Sequence, residues 1–429
     1  MSPRLLPLLA LAPLVIACGH ADDPAHAAAS GSDPAAVPAV GETPPVPDRP
    51  ATIKAIWVTR FDYRTADDVR EVVASCVEAG FDTILFQVRG NATAFYDSPY
   101  EPWALELAGS GPGGDPGFDP LALAVDEARR LGVSLHAWVN VMPSWWGLEP
   151  PPEGGQPPHL YHARPAWHWW SAEGERQALS DKFYVSLNPC LPEVRRYLTE
   201  VVVDIARRYE VEGVHLDYIR FPNEFPATPR DAAGQPTADY PRDPRTLALY
   251  REATGLHPDD APESGGEHPW DAWRTGQVTE LVRSIRAGLG GLGEDAPLLT
   301  AAVGSVPERA LHHFQDGRGW LDAGLVDAVF PMNYSQDLAV FDERLAHWTL
   351  PAGDGGPRVV MGVRASEQGD DARTLELLAR AVEHGGGFCL FAYSDLFDSA
   401  NETIDSQDEA TRARRARARQ VLLPYLRRL

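Results

Sequence analysis

IKAIWVTRFDYRTADDVREVVASCVEAGFDTILFQVR, residues 53–89, contains the pattern that the rest of the chain repeats. Apolar runs at residues 53–59 and 82–88 flank residues 65–79, where apolar side chains recur with the spacing of a helix. Gly80 follows, at a position where helices commonly end in a left-handed residue. The stretch predicts a strand–helix–strand unit, from which parallel sheets covered by helices are built.

The same alternation continues to the end of the chain. Apolar runs recur at residues 133–139, 213–219, 298–303, 326–331, 358–363 and 387–393, which makes eight runs in all. Helical periodicity fills the gaps at residues 119–131, 192–209, 271–289, 337–347, 372–384 and 409–429, and is less regular over 307–323. Eight strand–helix units predict an α/β fold, a (β/α)8 TIM barrel. An open doubly wound sheet is the alternative, but no GxGxxG motif follows the first run.

Three long loops are predicted after strands two, three and four, over about residues 90–118, 140–191 and 222–269. In such a barrel the chemistry lies where the strands end and the following loops begin. More than half of the 12 tryptophans lie between Trp103 and Trp170. We therefore expect the loops to form one wall of a cleft, on which indole rings stack against a flat ligand.

The first 50 residues have a different composition. Residues 1–17 carry Arg4 and then an apolar stretch that is too short to span a bilayer, which is typical of a secretory signal. The sequence VIAC, ending at Cys18, resembles the bacterial lipobox, and that resemblance implies cleavage before Cys18 and lipidation of its thiol. An ordinary signal peptide is the alternative. Residues 18–50, rich in Ala and Pro, predict a semi-extended tether.

We therefore expect a folded domain over residues 51–429, with the barrel core at 53–400 and a C-terminal helix at 409–429. A lipid on Cys18 would be its only contact with a membrane and would hold it at the cell envelope. In a Gram-negative source this means the outer membrane or periplasm, and otherwise the cell surface.

The composition excludes several partners and cofactors. With 61 acidic and 38 basic residues the formal charge is −23, which argues against nucleic acid and against electrostatic capture of an anionic polymer. We expect the substrate to be held by stacking and hydrogen bonds instead. The four cysteines, which include Cys76, Cys190 and Cys389, are spaced too widely for a metal or redox motif, so no metal or other cofactor is expected.

The fourth apolar run ends in an acid. Strand alternation puts His215 and Asp217 on one face, and a carboxylate inside a barrel carries a desolvation cost that calls for a partner or a function. An ion pair with Arg89 or Arg220 is the structural interpretation. The functional interpretation, which we adopt, makes Asp217 a catalytic carboxylate.

Polar groups at other strand ends are aimed at the same space, as a polysaccharide site requires. The predicted substrate-binding residues are Arg89, His136, Trp138, Asn140, Trp145, Trp146, His215, Arg220, Asn333, Tyr334 and Tyr393. Glycosidases normally use two carboxylates. Candidates for the second are Glu101, Glu224, Asp337, Glu367 and Asp395, of which Glu101 and Asp337 are carried forward beside Asp217. Substrate assistance by an N-acetyl group would need one acid and orienting residues such as Asn333 and Tyr334.

Ordered motifs along the chain resemble a known family. They are AIWVT (55–59), FQVR (86–89), DSPYEPW (97–103), DPGFDPL (115–121), HAWVN (136–140), LNP (187–189), residues 213–222 and PMNY (331–334). Together they are similar to the bacterial family 10 glycosylhydrolase-like lipoproteins, also called domain of unknown function 187, which include an enzyme that cuts peptidoglycan glycan strands. The resemblance implies a (β/α)8 hydrolase of bacterial glycans with Asp217 as the strand-four acid. Tyr218 stands where many members have a second Asp.

The expected function is an exported, lipid-anchored glycoside hydrolase that cleaves a cell-wall or other polysaccharide, with peptidoglycan strands as one candidate. A glycan-binding lipoprotein that has lost turnover is the alternative, because a fold does not guarantee an activity. Metal-dependent deacetylation is weaker, since no His-Asp-His cluster occurs at ligand spacing.

Overall fold

The structure is a computed structural model that describes residues 52–107, 113–221, 240–260, 268–349, 358–365, 370–400 and 409–429. Eight parallel strands form a closed barrel, which confirms the predicted fold. The barrel strands, called strands one to eight, are Ile53–Val58, Thr83–Arg89, Ser134–Asn140, Gly213–Asp217, Leu298–Gly304, Ala328–Met332, Met361–Arg364 and Gly387–Phe391. Strand eight closes the barrel by pairing with strand one, with Gly387 opposite Ile53. The predicted signal and tether, including Cys18, lie outside the described residues.

Helices follow the strands close to their predicted positions, and one further helix, Pro244–Thr254, lies within the segment predicted as the loop after strand four. The longer helices are Ala66–Ala79, Pro120–Leu131, Pro192–Arg208, Pro244–Thr254, Pro269–Gly290, Leu338–Ala346, Asp371–Glu383 and Glu409–Leu426. Shorter helices are Leu160–Ala163, Pro307–Ala310, Gly317–Asp322 and Tyr393–Leu396, with 3-10 turns at Pro165–Trp167 and Leu311–His313. The irregular segment 307–323 thus consists of two short helices with a 3-10 turn between them. None of the described helices is long and apolar enough to cross a membrane.

The first helix shows how local sequence sets the boundaries. Thr65 caps its start in a reciprocal capping box with Asp68, and Gly80 ends it with a φ of 99°. A side-chain cap satisfies backbone N–H groups that have no partner within the helix. The glycine adopts the left-handed conformation without the steric cost that a Cβ would add.

Strand alternation divides the apolar side chains into two layers. Trp57, Leu85, Trp138 and Phe330 belong to a cluster that fills the barrel interior. Residues of the opposite parity, such as Ile56, join the larger core between strands and helices. The interior layer therefore supports the residues at the carboxyl ends of the barrel strands from below.

The loop after strand three contains structure that the sequence pattern does not predict. Pro143–Gly147 pairs with Ser180–Ser186 as an antiparallel ribbon. Trp145, Tyr161 and Val185 pack together as its own small core. The loop is thus folded against the barrel rim, and part of its tryptophan content serves that packing.

Closure of the barrel between strands one and eight requires a glycine. Gly387 has a φ of +94°, and an added Cβ would lie 2.1 Å from the carbonyl oxygen of Ile53. Gly385 has a φ of +105° but nothing within 4 Å of the same position. The two glycines therefore share the backbone conformation and differ in the space around them.

We expect Gly387→Ala to lower the free energy of unfolding by about 1–3 kcal/mol more than Gly385→Ala, because only the former adds steric overlap to the backbone strain. Urea denaturation followed by circular dichroism measures the difference. Equal losses in the two variants would show that the closing strand pair accommodates the extra atom.

Candidate active site

A cavity of about 270 Å³ opens at the carboxyl ends of the barrel strands. Its described lining residues come from strands or strand ends around the barrel, from the loop after strand three and from the last helix. They are Trp57, Thr59, Arg60, Phe61, Gln87, Trp138, Asn140, Tyr184, Asp217, Tyr218, Arg220, Ala302, Met332, Tyr334, Arg364, Phe391, Ala392, Ser394, Asp395 and Arg414. This is the end of the barrel at which enzymes of this architecture carry their chemistry.

Aromatic rings form the floor of the cavity. The Trp57 ring lies edge-on to Tyr334 and Phe391, with centroids 6.3 and 6.0 Å away. Its indole N–H donates to Nε2 of His215 at 3.2 Å, and Nδ1 of His215 bonds to the hydroxyl of Thr300 at 2.9 Å. Burial holds the pKa of His215 well below its usual range, so the imidazole is neutral. His215, predicted to bind substrate, instead lies beneath the floor and orients Trp57.

Asp217 lies in the cavity wall at the end of strand four, with 7% of the residue exposed. Burial raises its pKa, while Arg220, the backbone N–H of Tyr218 and the side chain of Trp138 act in the opposite direction. The Tyr218 N–H donates to Oδ1 of Asp217 at 2.6 Å. Tyr218 itself has a φ of 48°, an uncommon conformation for a bulky residue that often accompanies functional sites.

Asp395 is the second carboxyl group in the cavity wall. It follows strand eight, accepts the backbone N–H of Ala392 at 3.2 Å and pairs with Arg414 at 3.3 Å. Burial raises its pKa, against the effects of Arg414 and Arg364. Strand eight lies across the closed barrel from strand four, so Asp395 and Asp217 occupy opposite sides of the cavity. Of the five candidates for a second carboxylate, Asp395 is the one that the structure brings to Asp217's cavity among the described residues.

Glu101, carried forward as a second carboxylate, lies elsewhere. Its oxygens accept from the guanidinium of Arg89 at 2.7 and 2.8 Å, and both side chains are fully buried. Arg89 also donates to the carbonyl oxygens of Asn140 and Val141. The pair fastens the loops after strands two and three, because it satisfies two charges and several carbonyls at once. These positions do not support catalysis by Glu101, substrate binding by Arg89, or an ion pair of Arg89 with Asp217.

Asp337, the other carboxylate carried forward, is exposed and caps helix Leu338–Ala346. It accepts two backbone N–H groups of the first turn at 2.8 and 3.1 Å. It is not among the described residues that line the cavity, and its capping contacts explain why an acid stands there. Glu224 and Glu367 lie outside the described residues.

Of the predicted substrate-binding residues, Trp138, Asn140, Arg220 and Tyr334 line the cavity. Five others have different surroundings. The His136 ring lies over Gly213, Trp145 donates to the carbonyl of Glu149, Trp146 is half-buried in the ribbon, Asn333 donates to the carbonyl of Phe341, and Tyr393 stacks on Phe397. The positions of these five side chains within the described structure favour roles in packing.

Several lining residues are absent from the sequence-based site. Trp57 and Gln87 could have been found, because they share strand parity with other inward-facing positions. Tyr184 and Arg414 could not, since they arrive from the ribbon and from the last helix. Among the described residues, no group of three or more His, Cys, Asp or Glu side chains could hold a metal ion.

Residues 52–351 match the glycosyl hydrolase-like 10 family. This chain belongs to that family. The family match ends before Arg364, Asp395 and Arg414, so one side of the cavity lies beyond it.

Two curated relatives of this family member are named glycosyl hydrolases. Glycosyl hydrolase DigH of Escherichia coli O6:H1 is 27% identical over 314 residues, which are 68% of this chain and 64% of the relative. Glycosyl hydrolase YngK of Bacillus subtilis is 24% identical over 286 residues, which are 62% of this chain and 47% of the relative. The chain thus spans less than two thirds of the length of either relative.

A solved structure shares the fold of this glycosyl hydrolase-like protein. The glycoside hydrolase domain of PgaB (BpsB) from Bordetella bronchiseptica superposes with a TM-score of 0.56 at 14% identity. The likeness covers 85% of this chain and 98% of that domain. The architecture is therefore that of glycoside hydrolase TIM barrels.

Asp62 lies just behind the cavity wall, 2% exposed. One of its oxygens accepts the backbone N–H and the hydroxyl of Thr59 at 2.6 and 2.8 Å. Burial raises its pKa from 3.8 to about 6, and the charge of Asp395 acts in the same direction. The native protein therefore retains a proton that the unfolded chain loses as the pH rises from about 4 to 6. Stability due to this group is present below pH 4 and is lost as the pH rises through 6.

Asp62→Asn stays neutral at every pH. We therefore expect the unfolding free energy of the variant, minus that of the parent, to rise by about 2–3 kcal/mol from about pH 3.5 to about pH 7.5. Urea denaturation at both pH values measures the gain, with exposed Asp337→Asn as the control. A difference between parent and Asp62→Asn that does not change with pH would contradict the assigned pKa direction.

Proposed function

We propose that this chain is a glycoside hydrolase in which Asp217 and Asp395 act on the scissile bond. The supporting observation is their placement on opposite sides of one cavity at the carboxyl end of the barrel. Two carboxyl groups that flank a glycosidic bond are the usual means of its hydrolysis. Membership of a glycosyl hydrolase-like family and the glycosidase fold agree with this chemistry.

The surroundings of the two carboxyl groups suggest different roles for them. Asp395 has a direct ion pair with Arg414, which favours its ionised form as base or nucleophile. Burial raises the pKa of Asp217 and of Asp395 alike, which favours protonation, and the direct ion pair of Asp395 makes Asp217 the better candidate for the general acid. The rings of Trp138, Tyr184 and Tyr334 line the cavity, where sugar faces stack on aromatic rings.

We also propose that the enzyme is exported, held at the cell envelope by a lipid on Cys18, and acts there on a cell-wall or other polysaccharide. The lipobox-like VIAC sequence and the Pro- and Ala-rich residues 18–50 support this location. Peptidoglycan glycan strands are the first substrate to test.

We expect Asp217→Asn and Asp395→Asn each to lower the release of reducing ends by about a thousandfold or more, because each removes one of the two carboxyl functions. The assay incubates the purified full chain with peptidoglycan sacculi and with a panel of polysaccharides. Asp337→Asn, an exposed acid outside the cavity wall, is the matched control.

Three outcomes would change the proposal. Glycan pull-down without any new reducing ends from the parent would make the chain a binding protein. Full activity of Asp217→Asn would remove that residue from catalysis. Full activity of Asp395→Asn alone would point to substrate assistance with Asp217 as the one protein acid.

We expect Cys18→Ser to abolish incorporation of labelled palmitate and to release the protein from the membrane fraction, because the acyl chains are the proposed anchor. Cys76→Ser, which changes a buried thiol of the barrel, is the control. Equal membrane association of the Cys18→Ser and parent proteins would contradict lipidation.

A further inference from the structure

Arg60 lies just beyond strand one, in the cavity wall, and only 2% of the residue is exposed. Its Nε donates to Oε1 of Glu106 at 3.0 Å, and its guanidinium carbon lies 4.2 Å from the centre of the Phe61 ring. A Cβ added at Gly90 would lie 2.5 Å from Cδ of Arg60, so the chain after strand two leaves room for this side chain. These contacts hold Arg60 in one position.

The backbone of Arg60 sets the orientation of a neighbouring amide. Its N–H donates to Oε1 of Gln87 at 2.9 Å, and Gln87 is only 3% exposed. Because a backbone N–H can only donate, the amide presents its oxygen to Arg60 and directs its NH2 group elsewhere. The hydroxyl of Tyr63 donates to the backbone carbonyl of Gln87 at 2.7 Å, which fixes the residue further. Gln87 lines the cavity, so its NH2 group is an oriented donor at the cavity wall.

The side chain of Arg60 orients a phenol in the same way. Its Nη1 donates to the hydroxyl of Tyr184 at 3.2 Å. A guanidinium has no acceptor atom, so the phenol oxygen accepts this bond and its own proton points to another partner. Gln177 donates to the backbone carbonyl of Tyr184 at 3.0 Å, which fixes the ribbon at this residue. Tyr184 also lines the cavity and is therefore a second oriented donor.

Both donors lie in the part of the wall next to Asp217. Gln87 is opposite Trp138 in the register of strands two and three, and Trp138 interacts with Asp217. The Tyr184 ring lies edge-on to Tyr218, which follows Asp217 in the chain, with ring centroids 5.1 Å apart. Within the described residues, neither the NH2 group of Gln87 nor the proton of Tyr184 has an acceptor. Donors that are shielded from solvent in this way call for a ligand atom.

We propose that Gln87 and Tyr184 bind the sugar that lies beside Asp217, each by donating one hydrogen bond to a sugar oxygen. Arg60 is the positioning residue for both donors. The inference rests on the proposed function, because it concerns how the same cavity holds its substrate. Donors that are fixed before binding lose little conformational entropy when the sugar arrives, so both bonds contribute to affinity.

Two substitutions of Gln87 separate a ligand donor from a structural amide. Gln87→Glu keeps an oxygen for the Arg60 N–H and removes the donor, whereas Gln87→Met removes both. We expect each to lower affinity about tenfold, because a sugar oxygen then lacks its donor. A structural role alone would leave Gln87→Glu like the parent. Gln420→Glu, at an exposed position on the last helix, is the control.

A double-mutant cycle tests the role of Arg60. Tyr184→Phe keeps the ring and should lower affinity about threefold to tenfold. Arg60→Met should lower it by a similar factor in the parent, but by less than about twofold in the Tyr184→Phe protein, because its effect passes through the Tyr184 hydroxyl. Arg60→Lys, which keeps a charge opposite Glu106, takes its place in the cycle if Arg60→Met does not fold. Tyr425→Phe, on the last helix, is the control.

The probes are cellotetraose, chitotetraose and a tetrasaccharide of peptidoglycan glycan, each offered to the full chain. Calorimetry measures Kd for a probe that is not cleaved, and the release of reducing ends gives kcat/KM for one that is. Circular dichroism and the thermal midpoint show whether each variant is folded.

The inference is overturned if the parent binds none of the probes, if Gln87→Glu binds them like the parent, or if the effects of Arg60→Met and Tyr184→Phe are additive. Cleavage at the parent's rate by Gln87→Glu and Tyr184→Phe would overturn it while leaving the hydrolase proposal intact. Weaker binding by both variants of a chain that cleaves no probe would support it and contradict the hydrolase proposal.

Discussion

The hydrogen bond from the Trp57 indole to His215 is the contact on which the cavity depends. It joins strand one to strand four inside the barrel, and Thr300 on strand five fixes the other imidazole nitrogen. Because burial keeps the histidine neutral, it remains an acceptor for the indole. The Trp57 ring therefore has one orientation, against which Tyr334 and Phe391 pack. The two carboxyl groups of the proposed chemistry therefore lie above aromatic rings whose orientation is set by a buried hydrogen bond.

The repeating pattern of the sequence is sufficient to predict the barrel, because strand and helix periods are local properties. Asp217 is predictable for the same reason, since parity along strand four and its place at the strand end decide where it points. The partner of a buried charge, in contrast, is decided by how the folded chain brings separate segments together. Nothing in the sequence shows that Arg89 forms an ion pair with Glu101. Because of that pair, both residues, which were predicted in the site, have a structural role in holding the loops.

The tryptophans show a second limit of sequence interpretation. Indoles in the loops suggest a stacking surface, but the tryptophans among the described lining residues, Trp57 and Trp138, lie on strands one and three. Trp145 and Trp169, however, are buried and donate their N–H groups to backbone carbonyls of the folded loop. A loop of this length needs its own core, and large aromatic rings provide it. Composition alone does not separate these two uses, because both require the same side chain.

Arg414 reaches the cavity from a helix that packs on the outside of the barrel through Leu422 and Leu426. The neighbouring Arg415 fastens the same helix by donating to the carbonyl of Ser394 and pairing with Asp398. A ligand that contacts Arg414 therefore also stabilises the docked position of the last helix. Ligand binding and docking of the helix are therefore thermodynamically linked, so that weaker docking lowers the affinity of the cavity for such a ligand. Substitutions far from the cavity, on the outer face where the helix docks, would thus alter affinity without touching the ligand.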